Sequence, residues 1–144
     1  MIAVDTNLLV YAHRADSEWH EQARACIRDL AENRANWAIP WPCIHEFIAI
    51  VTHPRIYSPP SSTEQALNQV EAWLESPSLQ LLHEARDHWS SLRRLLTTGH
   101  TKGPMVHDAR IAALCLTHGV REFLTADRDF SRFPALRARN PLIA

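Results

Sequence analysis

A chain of 144 residues, 46% hydrophobic and 22% charged, has the size of one domain and buries enough surface to fold without a disulfide or metal staple. Its three glycines, Gly99, Gly103 and Gly119, stand at least four residues apart, which excludes the clustered-glycine loops that cradle a nucleotide phosphate, so no nucleotide cofactor is expected. The 15 Lys and Arg nearly balance the 16 Asp and Glu, for a formal charge of −1, so global charge holds neither nucleic acid nor an anionic membrane.

The amino terminus, MIAVDTNLLVYAHR, meets an acid at Asp5 and is therefore neither a charged-then-apolar signal peptide nor a membrane span. Within it Ile2, Ala3 and Val4 form an apolar, partly β-branched run that reads as a buried strand. Trp19, Ala23, Cys26, Ile27 and Leu30 then share one helical face, with Asp16 placed to cap it. Trp37 to Pro40 predicts a short strand, followed by a helix through Val51 with Pro42 in its first turn, where a missing N–H costs nothing. After a Pro/Ser-rich loop at 58–62, Ser61 and Glu64 have capping-box spacing and open a helix with Ala66, Leu67, Val70, Trp73 and Leu74 on one face.

Leu79 to Leu82 reads as another strand, and Trp89, Leu92, Arg93 and Leu96 mark the next helix. A helix over 107–118 carries Ile111, Leu114 and Cys115 inside and stops at Gly119. A strand over 122–125 runs on to Asp127, and 141–143 predicts a short edge strand. Strands alternating with helices indicate an α/β domain with a largely parallel sheet, spanning residues 1–144. Cys26, Cys43 and Cys115 are odd in number with no CxxC pair, as expected of reduced thiols in a cytoplasmic protein.

Four acids carry the chemistry. Asp5 and Asp127 follow apolar strands directly, and Asp108 opens a helix. In a parallel sheet the carboxyl ends of strands and the amino ends of the following helices lie on one edge, where α/β proteins place their sites. Each Asp taken alone also suits a helix cap or turn; their joint placement is the signal. Glu46 sits in the nearly all-apolar segment CIHEFIAIV, roughly 150° from the face shared by Ile44, Phe47, Ile48 and Val51. A carboxylate there must reach solvent or a cation. Converging acids raise each other's proton affinity, and a divalent ion relieves that repulsion. All-oxygen donors favour Mg²⁺ or Mn²⁺ over zinc, and a phosphodiester is the natural substrate of such a centre.

The opening IAVDTNLLVYA, the acid in PCIHEF, the THPRIYSPPSS stretch after it, the HDARIAALCLTHG helix and the terminal FLTADRDFSRF together resemble the PIN-domain ribonucleases, and among them the VapC-type toxins of bacterial toxin–antitoxin pairs. The resemblance runs over essentially the whole chain. It implies a PIN-like α/β/α sandwich and a metal-dependent endoribonuclease with Asp5, Glu46, Asp108 and Asp127 in its acidic cluster. Asp5 and Asp108 would be the principal metal ligands, Asp127 would help directly or through water, and Glu46 would complete the cluster or assist proton transfer. Thr6 would support the site by hydrogen bonding near Asp5, and Asn7 would hold the turn. For the fourth acid, ADRD offers Asp127 and Asp129; strand alternation and the family pattern favour Asp127, with Asp129 capping the last turn. The partners so implied are a second copy of the chain, an antitoxin, and a structured RNA such as tRNA or ribosomal RNA.

Five arginines lie within 121–139, against Glu122, Asp127 and Asp129, and are candidates for phosphate contacts. Trp73 and Trp89 are candidates for a dimer face if exposed. The His107–Asp108 doublet, with His83 and Asp127, also fits an HD-type phosphohydrolase, but that family is all-helical. A DxDx(T/V) phosphatase fails because position 7 is Asn. A receiver domain needs paired acids after the first strand and a lysine after a late one, whereas Thr6 follows Asp5 and Lys102 lies in a loop-like TTGHTKGP stretch. A catalytically silent RNA-binding or scaffolding relative is disfavoured because all four acids are present.

Overall fold

A computed structural model describes residues 1–143. Five strands form one sheet in the order β3-β2-β1-β4-β5: β1 Ile2–Val4, β2 Trp37–Pro40, β3 Leu79–Leu82, β4 Glu122–Leu124 and β5 Ala138–Arg139. Every pairing is parallel, so the sheet is wholly rather than mainly parallel. Six helices connect it: α1 Thr6–His13, α2 His20–Glu32, α3 Trp41–Val51, α4 Thr63–Leu74, α5 His88–Thr98 and α6 Val106–Thr117. The result is an α/β/α sandwich. The core closes on the sheet through fully buried Trp37, Phe47, Phe123, Phe130 and Phe133. The Trp37 indole N–H donates to Ser76 Oγ at 3.0 Å, which keeps this large residue satisfied while buried.

Several local expectations shift. Helix α1 was not expected; its Leu8, Leu9 and Val10 are all buried, so it lacks the polar stripe that betrays a surface helix. Asp16 does not cap α2. It binds Arg14 instead, accepting from Nε at 2.9 Å and Nη2 at 2.6 Å, and α2 starts after Trp19 with no side-chain cap. The capping box of α4 is Ser62 with Gln65, not Ser61 with Glu64. Ser61 is buried and committed elsewhere, 2.9 Å from His13 Nε2 and accepting from Arg14.

On α4 the buried side chains are Ala66, Val70 and Trp73, while Leu67 and Leu74 face outward. On α5 the buried residue is Leu95, and Trp89 is 68% exposed. The last strand is β5 at Ala138–Arg139, held by Phe123 and Thr125 backbone N–H groups donating to Arg137 and Arg139, and not the expected 141–143. Gly119 closes α6 at a positive φ of 73°, as a residue after a helix C-terminus does. Among the described residues no helix is long and apolar enough to cross a membrane.

Candidate active site

The pairing of β1 with β4 sets Val4 opposite Leu124, and the Asp5 N–H donates to the Leu124 carbonyl at 2.9 Å. The residues that follow these two strands therefore meet at the carboxyl edge of the sheet. Asp5 is the N-cap of α1 and only 5% exposed. Its Oδ1 accepts from the Thr6 N–H at 2.8 Å and lies 3.6 Å from the Cys43 thiol; its Oδ2 accepts from Thr125 Oγ1 at 2.6 Å and Asn7 Nδ2 at 3.4 Å. Burial pushes its pKa up to about 6 in spite of these donors, and the charge of Glu46 adds to the rise. Asn7 also accepts from the Ala126 N–H at 3.1 Å, tying the start of α1 to the turn after β4.

Asp108 lies half-buried in the first turn of α6, where the helix dipole favours an anion. It is not the N-cap; Met105 is, without a side-chain bond. Its carboxyl is also pushed up to about 6, by burial first and then by the charges of Asp127, Asp5, Asp129 and Glu46. Among the described residues, one group of His, Cys, Asp or Glu ligand atoms comes together within 4.8 Å, and it comprises Asp108, Asp127 and Asp129. The two candidates after β4 thus converge together. Asp127 supplies the cap of the 3₁₀ turn Arg128–Arg132, its Oδ1 accepting from the Asp129 N–H at 2.8 Å. The capping expected of Asp129 belongs to Asp127.

Glu46 projects from α3 into solvent, and its Oε2 accepts from Thr6 Oγ1 at 2.7 Å. Thr6 is buried, so the second residue of the DTN motif orients the carboxylate of α3 while its backbone holds Asp5. Glu46 and Asp5 stand outside the three-carboxylate group but close enough for their charges to reach Asp108. A cavity of about 250 Å³ adjoins Glu46, lined by His45, His107 and Arg110; Arg110 donates to Glu84 at 2.6 Å. Thr125 and Cys43 carry no signal in the sequence, because their donors reach Asp5 only through the fold. The five arginines do not form one patch. Arg121 and Arg137 line a cavity with Met1 and Ile2 at the opposite edge of the sheet, Arg139 Nε donates to Glu122 at 2.8 Å, and Arg128 lines a cavity beside Asp127.

Residues 2–136 match the PIN domain family profile. The chain belongs to the PIN domain family. Ribonuclease VapC43 of Mycobacterium tuberculosis is 37% identical over 142 residues, covering 99% of this chain and 96% of that protein. Ribonuclease VapC37 of the same species is 30% identical over 141 residues, covering 98% and 97%. Two solved structures share the fold: VapBC2 from Rickettsia felis, bound to a DNA fragment from its promoter (TM-score 0.68, 22% identity, 97% and 98% covered), and VapC20 of M. tuberculosis, described as a sarcin-ricin loop cleaving toxin (TM-score 0.66, 18% identity, 91% and 93% covered). The span matched by the PIN domain profile holds Asp5, Glu46, Asp108, Asp127 and Asp129, and it ends before β5.

Proposed function

We propose that this PIN domain is a metal-dependent endoribonuclease, the toxin of a toxin–antitoxin pair, which hydrolyses phosphodiester bonds in structured RNA such as tRNA or ribosomal RNA and so restrains translation. The observation that carries this reading is the convergence of carboxylates on one sheet edge, with Asp5 and Asp108 both pushed up to about 6. Such a cluster is poorly stable when empty and suits a cation. Its donors are all oxygens, and the close approach of Asp108, Asp127 and Asp129 fits a hard ion, Mg²⁺ or Mn²⁺. Asp5 and Asp108 would be its principal ligands, with Asp127 assisting and Asp129 beside them. When bound, such an ion supplies a water of lowered pKa and positive charge against the phosphate.

The chain's own residues do the rest. Thr125, Asn7 and the Thr6 N–H fix the Asp5 carboxylate, so its lone pairs keep one direction. Glu46, oriented by the Thr6 hydroxyl, accepts the proton of the attacking water. In-line attack forms a bond from the water oxygen to phosphorus and breaks the bond to the 3′ oxygen, which takes a proton from solvent; this leaves 5′-phosphate and 3′-hydroxyl ends, as the PIN resemblance implies. The relatives named as VapC ribonucleases, and the VapBC complexes of like fold, support an RNA substrate and an antitoxin partner. Three free thiols fit a cytoplasmic setting. We also propose a homodimer. Trp73 is buried against Phe47, which leaves exposed Trp89 as the aromatic candidate for its face.

Cleavage of purified tRNA and ribosomal RNA in Mg²⁺, in Mn²⁺ and in EDTA, beside Asp5→Ala and Asp108→Asn, tests the reading. Discrete fragments that require both the metal and the two acids are expected. A folded chain that binds RNA and never cuts it would instead be a binding module.

A further inference from the structure

We propose that the cavity between the 3₁₀ turn Arg128–Arg132 and β5 seats one nucleotide of the RNA beside the scissile phosphate and sets which base is accepted there. This rests on the nuclease reading above and adds where its selectivity resides. The cavity holds about 520 Å³, inside the range of small-ligand sites. One wall is the run Thr125 to Asp127, so an occupant adjoins Asp127, one member of the acidic group.

The remaining lining has the parts a nucleotide needs. Pro134 and Ala138 give an apolar wall for a base face, and Arg128 gives a cation for an adjoining phosphate. Arg128 enters no ion pair among the described residues. Asn140 lines the same cavity, and its Oδ1 accepts from the Leu142 N–H at 2.9 Å. That bond fixes the amide with its NH₂ as the remaining group, a donor for an acceptor on a base edge. Arg139 and Asn140 lie beyond residue 136, where the PIN match ends.

The test uses the full chain with a fluorescently labelled single-stranded RNA of randomised sequence. Binding is measured in EDTA over a salt series, and cleavage sites are mapped with Mn²⁺. The variants are Arg128→Ala and Asn140→Asp; the second keeps an acceptor oxygen for Leu142 and removes the donors. Arg128→Ala should weaken binding roughly ten-fold and reduce the slope of log affinity against log salt by about 0.7, the share of one phosphate. Asn140→Asp should change the base preference at one position next to the cut. Cleavage by both variants with unchanged affinity, salt slope and cut sites overturns the pocket and leaves the nuclease reading standing. A parent chain that neither binds nor cuts this RNA overturns the pocket, and one that also leaves tRNA and ribosomal RNA uncut sinks the nuclease reading as well. Loss of antitoxin binding with RNA binding intact would make this a peptide site and also overturn the proposal.

Discussion

Asp5 and Asp108 share one edge of one sheet, and both carboxyls are pushed up to about 6, yet their surroundings are opposite. Asp5 is sealed in and receives the Thr6 N–H, the Thr125 hydroxyl and the Asn7 amide, with the Cys43 thiol alongside. Asp108 is half-buried, receives no hydrogen bond among the described residues, and faces Asp127 and Asp129. The first carboxylate is held in place by the fold itself. The second belongs to a group whose mutual repulsion is relieved by a proton or by a cation. One corner is a fixed framework and the other is a receptacle, so removing charge should have different effects at the two.

The largest expected effect is at the receptacle. Asp108→Asn should reduce RNA cleavage on the order of 10³-fold or more. Its metal-free melting temperature should stay level or rise, because a like charge is gone. A marked drop in melting temperature in EDTA would make Asp108 a structural residue and erase the contrast.

Next comes pH. A carboxyl whose folded pKa lies above its unfolded value of 3.8 favours the fold while protonated. That contribution is complete below the unfolded value and is lost as pH rises through about 6. Asp5 alone accounts for roughly 2–3 kcal/mol of this loss. Urea titrations of the metal-free chain should therefore show stability due to these groups declining between about pH 4 and about pH 7. Added Mg²⁺ or Mn²⁺ should raise the melting temperature more at the upper end. A flat profile would mean that water reaches Asp5.

Thr125→Val sharpens the framework side. It removes the 2.6 Å donor to buried Asp5 and the acceptor for the Asp127 N–H at 3.0 Å. About 2 kcal/mol should be lost, measurable by denaturant midpoint, and the pH decline should steepen. The smallest change expected is Thr6→Val, which frees Glu46 from its 2.7 Å bond. Stability should fall by about 1 kcal/mol and cleavage by roughly ten-fold, with RNA binding in EDTA unchanged. Weaker RNA binding would show that Glu46 acts on substrate rather than on the attacking water.

The strands β1, β2, β3 and β4 and five of the helices are legible because apolar runs and 3.6-residue spacing report burial directly. Helix α1 is not, since TNLLVYAH is apolar on most sides and follows a strand of the same character. The capping serine of α4 depended on a distant event: His13 and Arg14 occupy Ser61, leaving Ser62 for the helix. Asp16 was lost as a cap for the same reason, to Arg14. Strand β5 has two exposed residues and no hydrophobic signature. In the site, the acids announce themselves by following strands, whereas Thr125 and Cys43 matter only through contacts 120 and 38 positions away. Asp129 joined the cluster because the 3₁₀ turn brings it round beside Asp127.

The Asn7 bond to Ala126 spans 119 positions of chain, and this has a bearing on how the protein is made. A growing chain that has reached β3 already carries Asp5, Glu46 and most of the core helices. It still lacks Thr125 to satisfy Asp5, and it lacks all three of Asp108, Asp127 and Asp129. The central strand β1 waits with one edge unpaired until β4 arrives. During synthesis, therefore, the carboxylates of the sheet edge come together only when the last quarter of the chain has emerged.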